Sequence, residues 1–505
     1  MTLGEAWRVP RIKGGSIVKL QEVDIQAVEP HRLAQLIGAE RLARFDEVAS
    51  AARDALAGRI VLNVNSTAAG GGVAELLQGL LAYARGAGVD TRWVAINGDP
   101  RFFAITKRIH NRLYGGAGDG GDLGPAEHRV YEATLHANAP ELQILLRPGD
   151  VAILHDPQTA GLAPVLSAAG LSVVWRCHVG VDVPNDHSRS AWSFLRRYIG
   201  HVGSFVFSRA EFAPHWVPED RLIVIPPSID PFCAKNEEMT RDQAVGVLQY
   251  AGLVDGGGQP PNVSFTRRDG TPGRINRHAD ILQTGPPPPP DAPLVVQASR
   301  WDVMKDMPGV MRSFAEYLGD LTGVHLVLAG PSVHGVADDP EAAHVLDGCI
   351  REWRALPHST RSRVHLACIP MADADEAAAI VNALQRHATV VAQKSIAEGF
   401  GLTVAEAMWK ERPVVAGAVG GIVNQIIDGE TGYLVDPHDL EAFAGALRRV
   451  LSDPIEAARL GRNARQRVID EFLADRHLAQ WASVIGMALA TDLEPARDPT
   501  VPTDQ

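Results

Sequence analysis

Two runs of strand-and-helix alternation constrain this chain more than any other feature. Short β-branched or apolar segments at residues 59–64, 92–96, 150–154, 172–175, 204–207 and 222–225 make the first series. Those at 293–298, 324–328, 363–366, 389–391 and 413–416 make the second. Helical patterns separate the segments, so successive strands cannot pair through tight hairpins and are expected to lie parallel. Pro226 and Pro227 open a boundary that extends to Lys235, and residues 254–293 turn polar, Gly-rich and finally Pro-rich. The expected architecture is α/β, with Rossmann-like domains over 1–232 and 233–475. The 254–293 stretch reads as an inserted arm whose hairpin turns at Asp269 and Gly270. Its Arg267, Arg268, Arg274 and Arg277 read as a solvated face. Residues 476–505 read as a C-terminal helix followed by a polar, disordered tail. At 505 residues and 46% hydrophobic content, the chain can fill two cores.

A net charge of −12 and a pI near 5.8 argue against nucleic acid or an anionic membrane as the main partner. Cys177, Cys233, Cys349 and Cys368 lie far apart without metal-ligand spacing and read as reduced thiols of a cytoplasmic protein. The start, MTLGEAWRVPRIKGG, lacks the apolar core of a signal peptide, and no run is apolar enough to span a membrane. The oligomeric state stays open, a homodimer among the options.

Sheets of this kind bind ligands beyond the carboxyl ends of their strands. Four stretches placed there carry chemistry. Residues 395–409, SIAEGFGLTVAEAMW, follow a strand. Gly399 and Gly401 let backbone approach a ligand, and the amides near Leu402 and Thr403 suit a phosphate. Glu398 and Glu406 flank the turn with seven residues between them. Thr403 with Glu406 also fits a capping box, which would only start a helix. The second stretch ends in Gly70, Gly71 and Gly72 ahead of a helix, a phosphate cradle or merely a tight connection. The third is His155-Asp156-Pro157-Gln158 together with His178, at two more strand ends; either histidine alone is as easily a satisfied turn residue. In the fourth, Arg300 and Lys305 bring a bidentate fork and a mobile point charge to one strand end. They would clamp a diphosphate, or they are two exposed loop residues.

Taken in order, NVNSTAAGGGVAE, FFAITKRIHNRLYG, LHDPQ, WRCHVGVDVPN, SRWDVMKD and EGFGLTVAEAMWK resemble the retaining glycosyltransferases of family 4. Within them the likeness is to the trehalose glycosyltransferring synthases, and trehalose phosphorylases share much of the pattern. The resemblance implies a GT-B fold, two Rossmann-like domains with parallel sheets facing across a cleft. It implies transfer of glucose from UDP-, ADP- or GDP-glucose to the anomeric hydroxyl of free glucose, with retention; no metal-ligand cluster is visible and the two cations can do a metal's work, so no metal or other cofactor is expected. It places Arg300 and Lys305 on the leaving diphosphate, Glu398 on the transferred glucose, Glu406 on the ribose and His178 near the anomeric centre. The loop from Gly70 to Gly72 would close over the phosphates, opposite Gly399, Phe400, Gly401, Leu402 and Thr403. Lys107, His110, Asn111, His155, Asp156 and Gln158 would shape the acceptor pocket.

A retaining glycosidase would need two opposed carboxylates at the anomeric carbon, and Glu398 is the one good candidate. The expected route is therefore front-face displacement, with the diphosphate helping to take the acceptor proton and cations stabilising its charge. Phosphate-dependent breakdown of trehalose, transfer to another acceptor, and sugar-nucleotide binding without turnover are the competing readings.

Overall fold

The computed structural model describes residues 20–68, 71–256, 263–333 and 340–491. The first sheet contains β1 (Gln21–Glu22), β2 (Val61–Asn65), β3 (Thr91–Ala95), β4 (Val151–His155), β5 (Ser172–Cys177), β6 (Ser204–Phe207) and β7 (Leu222–Val224). Their spatial order is β1-β3-β2-β4-β5-β6-β7. A small hairpin, β8 (Ser264–Thr266) and β9 (Pro272–Arg274), precedes the second sheet. That sheet contains β10 (Asp280–Leu282), β11 (Leu294–Ala298), β12 (His325–Pro331), β13 (Val364–Ile369), β14 (Val390–Gln393), β15 (Val414–Gly417) and β16 (Tyr433–Val435). Their order is β10-β13-β12-β11-β14-β15-β16. Neighbours run parallel except at the edges, where β1 and β10 are antiparallel to β3 and β13. β2, β4, β5 and β11 are buried along their whole length. Coverage on both faces is why their sequences are continuous apolar runs rather than alternations.

Strand order changes direction between β2 and β4 in one sheet and between β11 and β14 in the other. Such reversals open the crevices where doubly wound sheets bind ligands. The loops leaving these four strands carry Gly71, Asp156, Arg300 and Glu398.

The 254–293 stretch is not a free arm. β10 extends the second sheet, and Phe265 and Ile275 are buried in its core. Arg267 donates twice to Asp373 (3.0 and 2.6 Å), and Arg277 pairs with Glu376. Arg268 adds its amide and side chain to Asp375 (3.1 and 3.9 Å), so three of the four arginines expected on a solvated face are ties to the acidic start of the helix Ala374–His387. The hairpin does turn at Asp269 and Gly270, with Gly270 at φ +81°. The helix Ala474–Thr491 leaves the second sheet and returns to the first, where Trp481, Val484 and Ala488 pack with Val61, Val151, Ile153 and Val174. Arg41 holds Asp475 (2.5 and 3.0 Å), and Arg476 donates to the carbonyls of Pro226 and Pro227. The tail expected to be disordered, 492–505, lies outside the described residues, as do 1–19 and residues 257–262 of the insertion.

Candidate active site

β11 and β14 are parallel neighbours, so the loops that follow them emerge side by side. Gln297, fully buried, ties these loops together. Its amide nitrogen donates to the Lys305 carbonyl (2.7 Å), and its oxygen accepts from the Lys394 amide (3.1 Å). The Ile396 amide adds a bond to the Met304 carbonyl (2.9 Å). Held this way, the Lys305 ammonium meets the Glu398 carboxylate directly, and the Ser395 hydroxyl donates to the same oxygen (3.2 Å). Arg300, half-exposed, pairs with Asp302 (3.1 Å), whose carboxylate also accepts from the Met304 amide (2.9 Å). The sequence reading puts Lys305 on a phosphate and Glu398 on a sugar; here each holds the other.

The helix Leu402–Trp409 starts from Gly401, whose backbone is left-handed (φ 85°), and no side chain caps it. The capping box is not formed. The Thr403 hydroxyl donates instead to Gln393 (3.1 Å). Glu406 is 1% exposed and pairs with Lys235 (3.0 Å), which also holds Glu75 (2.9 and 3.0 Å). Burial raises the Glu406 pKa against the pull of Lys235, and its Oε2 has no hydrogen-bond partner. Lys410 lies next to it, pulled down to about 7 by burial. Glu406 thus has an ion-pair partner of its own, distinct from the Lys305–Glu398 pair. Phe400 turns its ring into the core against Phe472.

On the first sheet, β4 and β5 are also parallel neighbours, with His155 beside Arg176. Asp156 has left-handed backbone (φ 63°) and accepts from both the amide (2.8 Å) and the ring Nδ1 (3.0 Å) of His178. Arg176 Nε donates to His178 Nε2 (2.7 Å). The imidazole is therefore neutral, with its proton on Nδ1. Burial lowers the His178 pKa and Arg176 adds to the effect. Burial alone would raise the Asp156 carboxyl, but His178 outweighs it and holds the group at about 2. His155 lies behind this pair, its ring stacked on His178 at 5.5 Å and its Nε2 on Asn63 (3.1 Å). Gln158, half-buried, lies on the turn Asp156–Thr159.

The helix Pro100–Leu113, capped by Asp99, aligns Lys107, His110, Asn111 and the following Tyr114 on one face. Lys107 reaches across to Glu341 (3.3 Å). His110 lies edge-on to Tyr114 and is pushed down to about 4, by burial first and by Lys107 second. The Tyr114 hydroxyl is raised well above its ordinary value by burial and by Glu398. The sequence reading missed Tyr114, although the helical spacing from Lys107 and His110 points to it. It also missed Asp302 and Arg176, which bond residues two positions away, and Lys235, whose partners Glu75 and Glu406 are distant in the chain.

The two strand-end edges face each other. A methyl group on Gly399 would overlap the His178 carbonyl oxygen and stand 2.8 Å from the Tyr114 hydroxyl. One on Gly72 would lie 3.6 Å from Leu402. Asp182 accepts from the Gly420 amide (2.9 Å), and Arg209 donates to the Gly420 carbonyl (2.9 Å). Gly71 opens the helix Gly72–Gly86 with φ 88°, whereas Gly70 lies outside the described residues. Among the described residues, no group of three or more His, Cys, Asp or Glu side chains is placed to hold a metal ion. Among them, too, no helix is long and apolar enough to cross a membrane.

Residues 63–214 match the family described as "Trehalose synthase, N-terminal domain", and residues 373–467 match "Glycosyl transferases group 1". A trehalose synthase of Pyrococcus horikoshii is 30% identical over 451 residues, which is 89% of this chain and 94% of that one. A trehalose synthase of Rubrobacter xylanophilus is 33% identical over 430 residues, 84% of this chain and 90% of its own. A solved structure of an α,α-trehalose-phosphate synthase (UDP-forming) from Burkholderia vietnamiensis matches with a TM-score of 0.61 at 15% identity, over 86% of this chain and 98% of that one. That likeness bears on the fold alone, which is GT-B. The protein is a hexosyltransferase, and by these identities over nearly its whole length the chain belongs to the trehalose synthase family.

Proposed function

We propose that the cleft moves glucose from a nucleoside diphosphate glucose to the anomeric hydroxyl of free glucose, forming α,α-trehalose with retention. The observation that carries this reading is the meeting of the two switch points. Arg300, Lys305 and Glu398 come from one sheet; Asp156 and His178 come from the other, with His110 and Tyr114 beside them. Departure of the diphosphate builds negative charge, which Arg300, Lys305 and the Leu402 and Thr403 amides would stabilise from fixed positions. Freed from Lys305, Glu398 would accept hydroxyls of the transferred glucose. His178 would border the anomeric centre, and as a neutral ring it adds no positive charge beside an oxocarbenium-like carbon. Glu406 would take the ribose through its unpartnered oxygen. Gly71 and Gly72 would cover the phosphates. Lys107, His110, Asn111, Asp156 and Gln158 form the acceptor side, with His155 supporting it. The leaving diphosphate takes the acceptor proton on the same face, so no second carboxylate and no metal are required.

The working units in this reading are residues 1–232 and 233–475, bridged by the last helix. The four unpaired cysteines suit a reducing compartment, the cytoplasm. The test is incubation with each of UDP-, ADP- and GDP-glucose plus glucose, following nucleotide release and non-reducing disaccharide. Trehalose formed with at least one donor is the expected result. Nucleotide release without trehalose would reassign the acceptor. No release, with phosphate-dependent cleavage of trehalose instead, would make the enzyme a phosphorylase.

A further inference from the structure

Arg176 is a buried charge whose nearest counter-charge, Asp156, is bonded to it only through His178. It is 1% exposed, and its hydrogen bonds to His178 and the Ile225 carbonyl reach no carboxylate. Nε donates to His178 Nε2 (2.7 Å), Nη2 donates to the Ile225 carbonyl (3.0 Å), and Nη1 has no partner. The Trp481 ring of the C-terminal helix lies 5.5 Å away on its face. Burying a guanidinium without an ion-pair partner is costly. Burial does pull it down, to about 9, which leaves it charged at neutral pH.

We infer that Arg176 is a positioning residue for sugar transfer: it holds His178 in the single tautomer that locks Asp156, and it ties that lock to the seating of the C-terminal helix. A guanidinium can only donate. His178 Nε2 must therefore accept, which sends the ring proton to Nδ1 and onto Asp156 Oδ2. The opposite tautomer would turn a lone pair toward the carboxylate and remove one of the two bonds that hold Asp156 in its left-handed backbone. Behind Arg176, Trp481 Nε1 donates to His477 (3.2 Å), and His477 meets the Ser228 hydroxyl (2.8 Å). The helix face under the guanidinium is thus fixed to the first sheet's side. The importance of the lock for turnover rests on the reading of the cleft as the transfer site; the tautomer does not.

The test joins ¹⁵N-histidine NMR to kinetics, with His178 assigned by its loss in His178→Gln. In the parent protein, His178 is expected neutral with the proton on Nδ1; an Nε2-protonated or doubly protonated ring overturns the proposal without any arginine variant. Arg176→Gln is expected to mix the tautomers and lower kcat about tenfold or more, with a much smaller change in donor KM. Guanidinium ion should restore part of the turnover of Arg176→Ala, and Trp481→Leu should lower kcat less than either. A folded Arg176→Gln with turnover within about two-fold of the parent overturns the role. So does a loss of turnover with unchanged His178 resonances and no rescue. If the resonances behave as expected but no sugar is transferred by any form, the proposed reaction fails while the lock stands.

Discussion

The two halves of the cleft manage charge in opposite ways. On the first sheet, Asp156, His178 and Arg176 are bonded in a chain that leaves each group one orientation, and all three are buried. On the second sheet, Arg300 is matched by Asp302 and Lys305 by Glu398, each cation held by a carboxylate close by in space. In the proposed reading the first arrangement would serve as a template, its geometry already set before a sugar arrives. The second is a store of compensated charge. In the proposed reaction a diphosphate would replace Glu398 and Asp302 as the partner of two cations, so the exchange would trade one attraction for another of similar strength. Rigidity belongs to the half that would orient sugars, and exchangeability to the half that would receive an anion.

The largest expected effect comes from breaking the exchangeable half. Lys305→Ala should lower kcat by on the order of 10² or more, as loss of one oxyanion donor does. Turnover within a few-fold of the parent would remove Lys305 from the diphosphate. Next comes the place where the halves touch. Gly399→Ala pushes a methyl into the His178 carbonyl oxygen, and the resulting displacement should cost on the order of 10² in kcat/KM; a neutral effect would mean that the two edges separate during turnover. If Glu406 takes the ribose as proposed, Glu406→Gln should weaken nucleotide binding by about tenfold with less change in saturated kcat, because a ribose contact is remote from the chemistry. Unchanged affinity in an equilibrium titration would leave Glu406 only its ion pair with Lys235.

The smallest effect at neutral pH concerns the template. His155 and His178 are held neutral, with pKa values below the ordinary 6.5, by burial above all. The unfolded chain takes up those protons below that pH and the folded one does not, so their stability contribution is complete above about 6.5 and is lost on acidification. Thermal unfolding between pH 7 and 5 should show a falling Tm. His155→Gln should flatten the slope by up to about 1.4 kcal/mol per pH unit. An unaltered slope would mean that the ring is already protonated in the fold.

Much of this architecture is legible from residue order because buried parallel strands leave long apolar runs. β2, β4, β5, β11 and β14 fall where those runs predict, and their ends carry the candidate residues. Edge strands are harder: β1, β10 and β16 are short and at most partly buried, so little hydrophobic pattern marks them. Strand-end position brought Lys305 and Glu398 to one place, but their pairing depends on Gln297, which reads as one more strand residue. Glu406 shows the limit most clearly. Its spacing from Glu398 is visible, yet its enclosure by Lys235 and Glu75 depends on chain segments meeting in three dimensions. Tyr114 was within reach, one helical face along from Lys107 and His110.

The return of the final helix has a consequence for how the protein is made. A nascent chain emerges from its N-terminus, so the strands of the first sheet are available long before Trp481, Val484 and Ala488. Until those residues appear, Val61, Val151, Ile153 and Val174 lack part of their cover. The half of the protein translated first is therefore the half sealed last. A ribosome that stalls short of Ala474 would release a product whose apolar surface lies near its beginning, open to chaperones and proteases.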